Sequence, residues 1–181
     1  MTAINKEVTG IGSATLPLSG LRAFTLNALL ILAAAVLPAA AHSLGLPVRL
    51  LLPMHWPVLL AGLVYGWRGG LLVGAAGPLV SNLLSGMPLP LIMPAMTFEL
   101  AAYGFVTGIL QEKAGLSGVK STALGILAGR VVFVISVVIM SSYSGALGDY
   151  LAAALLPGLP AAVAQMILLP QLAQKFVRQR Q

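Results

Sequence analysis

The chain has 181 residues, of which 59% are hydrophobic and only 8% charged, and its mean hydropathy is +0.98. Soluble domains carry about 25% charge, so this sequence cannot supply a water-facing surface, and a soluble helical domain is set aside. Cysteine is absent, which removes disulfides, thiolate metal sites and thiol nucleophiles. The net charge of +6 is spread singly between apolar runs, as in short loops at a membrane face and unlike a nucleic-acid footprint.

Residues 1–22 read as a short polar tail and 23–177 as one membrane domain. The first strong apolar run begins only at Ala23 and is followed by several more, so it is a retained span and not a cleaved leader. It covers about 23–44, contains Pro38 and ends near His42. At 1.5 Å per residue that length crosses a hydrocarbon core of about 30 Å. The second block, 54–67, follows Pro53 and holds Pro57, and a Gly pair at 69–70 separates it from a third at 71–85. Both are short for a straight span, so they are tilted or extended into their Pro- and Gly-rich flanks. A fourth block runs over 91–111, and a fifth over 122–143 is interrupted by Arg130. A polar segment, Ser141–Ser144, leads to Asp149 and then to a sixth block at 152–174.

These blocks predict an all-α integral membrane protein, a bundle of six transmembrane helices. Continuous rather than alternating hydrophobicity excludes a β-barrel. An even span count puts both termini on one side, which collects Lys6, Arg22, Arg68, Lys113, Lys120, Lys175, Arg178 and Arg180, against Arg49 and Asp149 opposite. The positive-inside rule then places both termini in the cytoplasm of a multi-pass cytoplasmic (inner) membrane protein.

Few residues could carry chemistry. Glu99 is the one acid inside an apolar block, and a carboxylate in lipid needs an interior partner. It is read either as a substrate-site acid or as a capping charge early in its helix. Arg130, flanked by Gly125 and Gly129, is either an anion-binding group or a structural one held by backbone carbonyls or snorkelling to the interface. His55 lies between Pro53 and Pro57, a stiff helix entry, beside the interfacial ring of Trp56. Asn27 and Asn82 are amides within spans that want helix or ligand partners. Two His without Cys make a poor metal site, and the chain carries no nucleophile–base set or phosphate loop, so no enzyme and no cofactor are expected. Ala33–Ala35 and Ala39–Ala41 stripe the first span with small residues that suit close helix packing. An outward pocket is expected from the 43–54 loop, His55 and Trp56, the Asn82–Met87 segment and the helix start near Glu99.

The first span FTLNALLILAAAVLPAAAHS, then LPMHWPVLLAG, GPLVSNLLSGMPLP and FELAAYGFVTGIL, in that order, resemble substrate-binding S components of energy-coupling-factor (ECF) vitamin transporters. The similarity covers about 24–112, and 113–177 by span pattern and by Gly129-Arg130. It implies a six-helix bundle that captures a vitamin from outside, with no catalysis. It also implies a partner module of one transmembrane subunit and two ATPases, docked on Ala35 and Ala39. The substrate-binding set read from the residues is His55, Trp56, Asn82, Met87, Glu99 and Arg130, and the resemblance implies that the loops at about 43–54 and 84–93 cap the vitamin. Motifs of riboflavin, biotin and thiamine members are missing, which leaves cobalamin-, pantothenate- or folate-like ligands and a module-dependent or solitary mode. With no cysteine, His55 or His42 would have to hold the cobalt of cobalamin. The alternative is a structural or assembly membrane protein with no transported ligand.

Overall fold

The computed structural model describes residues 15–140 and 145–180. Residues 1–14 of the expected tail, Lys6 among them, and the Ser141–Ser144 segment lie outside the described residues. The described chain is helical, with no strand. The helices are α1 (Gly20–Ser43), α2 (Val48–Leu51), α3 (His55–Ser85), α4 (Met93–Glu112), α5 (Gly118–Ile139), α6 (Leu147–Leu155) and, after a 3-10 turn at Leu156–Gly158, α7 (Leu159–Arg178).

Five of its segments are long and apolar enough to cross a membrane: α1, Val48–Ser85, α4, α5 and Leu147–Arg178. The expected count of six is therefore not confirmed. The difference lies in the second and third apolar blocks, which join in the single helical segment α3. Its backbone leaves helical geometry at Gly66, with φ 69° and ψ −165°, a conformation open to glycine but costly for a residue with a Cβ. Gly62 and Gly70, on either side, both lie against the Gly104 carbonyl oxygen of α4. Eight residues of straight helix would rise about 12 Å, so both reach one oxygen only because the chain folds back at Gly66.

The two arms of α3 thus form the centre of the bundle, with α4 lying along both. Contact there is backbone on backbone: the Cα of Gly70 meets the carbonyl group of Gly104, and neither residue has room for a methyl group. Such close approach suits a membrane, where helix association relies on packing and hydrogen bonds rather than on hydrophobic expulsion. The Gly66 turn lies against Glu112 at the end of α4, and Leu16 donates its backbone N–H to Val64 O at 2.7 Å. Gly118 meets Pro170, and Val177 shares a core with Tyr65. Leu16, the α4–α5 connection and the end of α7 therefore gather at the Gly66 end. At the opposite end lie α2, the α3–α4 loop and the 3-10 turn.

Polarity is inside out relative to a soluble fold. Leu21, Phe24, Leu29, Leu32 and Val36 of α1 are exposed, whereas Asn27, His55, Glu99, Thr107 and Gln165 are buried. Apolar side chains outside are solvated by lipid, and polar ones inside can find each other.

Candidate functional site

Glu99 sits six residues into α4, past the first turn, and is 2% exposed. Its Oε1 accepts hydrogen bonds from Tyr103 Oη at 3.0 Å and from Arg130 Nη1 at 2.9 Å. The carboxylate is thus the hub of an ion pair across α4 and α5, not a helix cap. Arg130 reaches it because α5 runs antiparallel beside α4, with Gly129 against the Tyr103 ring and Gly125 against Thr107. Those two glycines admit the neighbouring helix. The guanidinium also abuts Gly158 of the 3-10 turn, as does the Leu52 side chain. One charge pair therefore ties α4 and α5 to the connection before α7.

His55 completes the cluster. Its Nε2 lies 3.9 Å from Glu99 Oε1, beyond hydrogen-bond reach. Its ring meets Tyr103 edge-on with centroids 5.0 Å apart. Neither imidazole nitrogen has a hydrogen-bond partner, although the residue is only 5% exposed. A buried polar atom without a partner is costly and calls for a ligand or water to satisfy it.

His55 forms part of the wall of a cavity of about 550 Å³. This space opens between the end of α1 at Pro38 and Ala39, the α2 segment, the last turn of α3 at Ser81 and Ser85, and the start of α4 at Ile92 and Met96. The volume falls in the range of roughly 300–1,000 Å³ usual for small-molecule sites. The breaks that shape it are legible locally. Pro53 and Pro57 bracket the head of α3, Gly86 ends that helix in the left-handed conformation, and Pro94 opens α4 in its first turn.

Of the residues expected to bind substrate, His55 and Met87 line the cavity, and Glu99 and Arg130 stand behind His55 as its polar backing. Trp56 and Asn82 are not among the lining residues; each holds a connection instead. Trp56 Nε1 donates to Leu51 O at 2.9 Å, and Asn82 Nδ2 to Pro88 O at 2.9 Å. His42 lines the cavity but is exposed, and among the described residues no group of three His, Cys, Asp or Glu is placed to hold a metal. Within the small-residue stripe of α1, Ala34, Ala35 and Ala41 are buried and Ala40 is exposed. Ala35 is 1% exposed, its carbonyl accepts from Ser81 Oγ at 3.4 Å, and Ala39 lines the cavity. Of the two alanines expected to dock a partner module, Ala35 is thus packed against α3 and Ala39 borders the cavity.

Sequence reading missed Tyr103 and Arg49. Tyr103 follows Glu99 by four residues on a helix, a spacing that puts both on one face. Thr107 and Gln111 continue that buried row. Arg49 is the lone basic residue of its loop, and it lines the cavity.

A family model described as "ECF transporter, substrate-specific component" matches residues 22–173. No curated protein and no solved structure matches the chain.

Proposed function

The chain belongs to the substrate-specific components of ECF transporters, and we propose that it captures a vitamin-type micronutrient in the cavity walled by α1, α2, α3 and the start of α4. The observation that carries this reading is His55: a buried imidazole with both nitrogens unpaired, at the wall of a largely apolar space. A purely structural protein would gain nothing from leaving it so. The volume of about 550 Å³ favours a molecule of pantothenate's size class over a corrinoid, which far exceeds a drug-sized ligand. His55, backed by Glu99, Tyr103 and Arg130, supplies the directional hydrogen bond, and Met87 supplies adaptable apolar contact. Trp56 and Asn82 fix the two connections that border the site.

The fold-back at Gly66 supports two traverses by α3, hence six in all, with the cavity facing outward. The Gly66 end collects Arg22, Arg68, Lys113, Lys120, Lys175 and Arg178, which supports a cytoplasmic position for it and for both termini. Energy input then belongs to a separate module of one transmembrane subunit and two ATPases. With Ala35 and Ala39 turned inward, that module meets α1 on its exposed face at Leu32, Val36 and Ala40.

Native mass spectrometry of the protein purified from cells tests the capture reading. A retained small molecule, lost from His55→Ala, is the expected result. A protein that retains nothing, and takes up nothing in cells with or without the module, overturns it. Cysteine labelling tests the orientation. Leu44→Cys and Leu91→Cys should react with an impermeant thiol reagent in intact cells and Ser117→Cys should not; the reverse pattern inverts the topology.

A further inference from the structure

We propose that the cavity selects a compact, largely apolar molecule bearing a single anionic group, and that Arg49 is the residue that reads the anion. This rests on the capture reading above and narrows it to a chemical class.

Leu52, Met54, Met87, Leu89, Ile92 and Met96 present apolar or thioether surface, which suits an apolar body and leaves few hydrogen-bonding groups for a polyhydroxylated one. The lining includes no aspartate and no glutamate. The nearest acid, Glu99, is 2% exposed and already engaged by Arg130 and Tyr103, so its charge is matched within the protein. Arg49 is different. It lines the cavity and is exposed, and the basic residues within ion-pair distance of a carboxylate among the described residues are Lys113 and Arg130, with the His55 imidazole at 3.9 Å from Glu99, and not Arg49. The cavity therefore holds one permanent positive charge with no carboxylate pairing it.

Ligand charge follows from that asymmetry. A cationic ligand would be repelled by Arg49 and would meet no acid free to host it. A neutral ligand would fill the apolar walls but leave the guanidinium to solvent. An anion gains charge-assisted hydrogen bonds, about twice as strong as neutral ones, and a carboxylate matches the planar fork of arginine in a bidentate fashion. Placement adds to this. Arg49 is carried on α2, the four-residue helix between Gly45, at φ 67°, and Leu52, at φ 47°. Leu52 is the one non-glycine residue with positive φ among the described residues. His55 is buried and Arg49 exposed, so the imidazole meets the ligand's inner part while the guanidinium meets its charged end at the mouth.

The test uses three probes with one body and different heads: 4-cyclohexylbutanoate, 4-cyclohexylbutanol and 4-cyclohexylbutylamine. Binding is measured to the full chain in nanodiscs of uncharged phosphatidylcholine, with empty nanodiscs as baseline. The chain has two tryptophans; with Trp67→Phe as background, Trp56, bonded to α2 through Leu51 O, reports occupancy by fluorescence. The acid should bind about tenfold or more tighter than the alcohol, with the amine weakest. Arg49→Gln should bring acid and alcohol to parity, and Arg49→Glu should favour the amine. Melting temperatures of the Arg49 variants verify folding. An acid-to-alcohol ratio untouched by Arg49→Gln, or an amine that binds tightest to the parent, overturns the proposal. If no probe binds, the proposed ligand class falls. Capture itself still stands where native mass spectrometry finds a retained molecule or cells show uptake, and falls with it where neither is found.

Discussion

The seam between α3 and α4 and the cavity at the end of α3 are built from neighbouring stretches of the same helices, yet they treat space in opposite ways. At the seam Gly70 and Gly104 bring backbone against backbone and leave no room for a methyl group. At the cavity about 550 Å³ is left open, and His55 keeps two nitrogens unpaired beside it. The seam has a single solution fixed by main-chain atoms, which cannot move aside. The cavity is bordered by methionines and short connections that can adjust. A binding bundle needs both, because polar groups stay aimed at a ligand only if the helices that carry them are held elsewhere.

The largest effect should come from filling the seam. Gly104→Leu drives a side chain into the Gly70 carbonyl and should cost about 3 kcal/mol or more, at or beyond the upper end of ordinary overpacking. Loss of monodisperse protein on size exclusion is the expected outcome. Gly148→Ala, where an added Cβ meets nothing within 4 Å, should behave as the parent. Equal behaviour of the two variants would mean that the seam yields. It would then not be the rigid partner of the comparison.

Next in size is the charge pair that joins the two regions. The Glu99 and Arg130 side chains are 3% and 19% exposed. Removing one member strands the other, at a typical cost of about 3–5 kcal/mol. Arg130→Met alone should lower the melting temperature strongly. Arg130→Met combined with Glu99→Gln should recover part of that loss, because the stranded charge is gone. A strictly additive double variant would show that the two residues act separately.

How much of this was legible in the sequence varies from residue to residue. Hydropathy located every long helix, because lipid imposes continuous apolar runs whatever the packing. It did not foresee that the blocks at 54–67 and 71–85 join. Gly66 sits in an apolar run, and only its positive φ turns the chain. Glu99 and Arg130 stood out as isolated charges, but their pairing depends on how α4 and α5 align, set by Gly125 and Gly129 receiving Thr107 and Tyr103. His55 was found because prolines framed it. Trp56 and Asn82 were assigned to ligand on the same cue of a polar group near a break, and a break equally needs polar groups to tie it down. Ala35 and Ala39 show the limit most plainly: a stripe of small residues signals close approach, and nothing in it says whether the neighbour is α3 or another protein.

A third effect belongs to the cavity alone. His55→Ala should weaken the retained ligand about 5- to 150-fold, the loss of one buried hydrogen bond worth about 1–3 kcal/mol. Stability should change little, since His55 satisfies no protein group, and titration calorimetry against thermal melting separates the two. A large drop in melting temperature with unchanged affinity would move His55 from the cavity to the seam side of the comparison.

The smallest effects test whether the borders of the cavity hold the ligand in. Trp56→Phe keeps the ring and removes one hydrogen bond to Leu51 O, whereas Asn82→Ala removes the bond to Pro88 O. Each neutral bond is worth about 0.5–1.5 kcal/mol. Neither side chain lines the cavity, so neither substitution removes a ligand contact directly. What changes is the freedom of the segment each one fastens. Trp56 holds α2, which carries Arg49, and Asn82 holds the loop that carries Met87. Both variants should therefore release ligand faster, by about 2- to 10-fold, with association little changed. Stopped-flow dissociation reads this directly. If release is unchanged in both while Gly104→Leu still collapses the bundle, the borders are as rigid as the seam. The ligand would then leave by a route that opens neither connection.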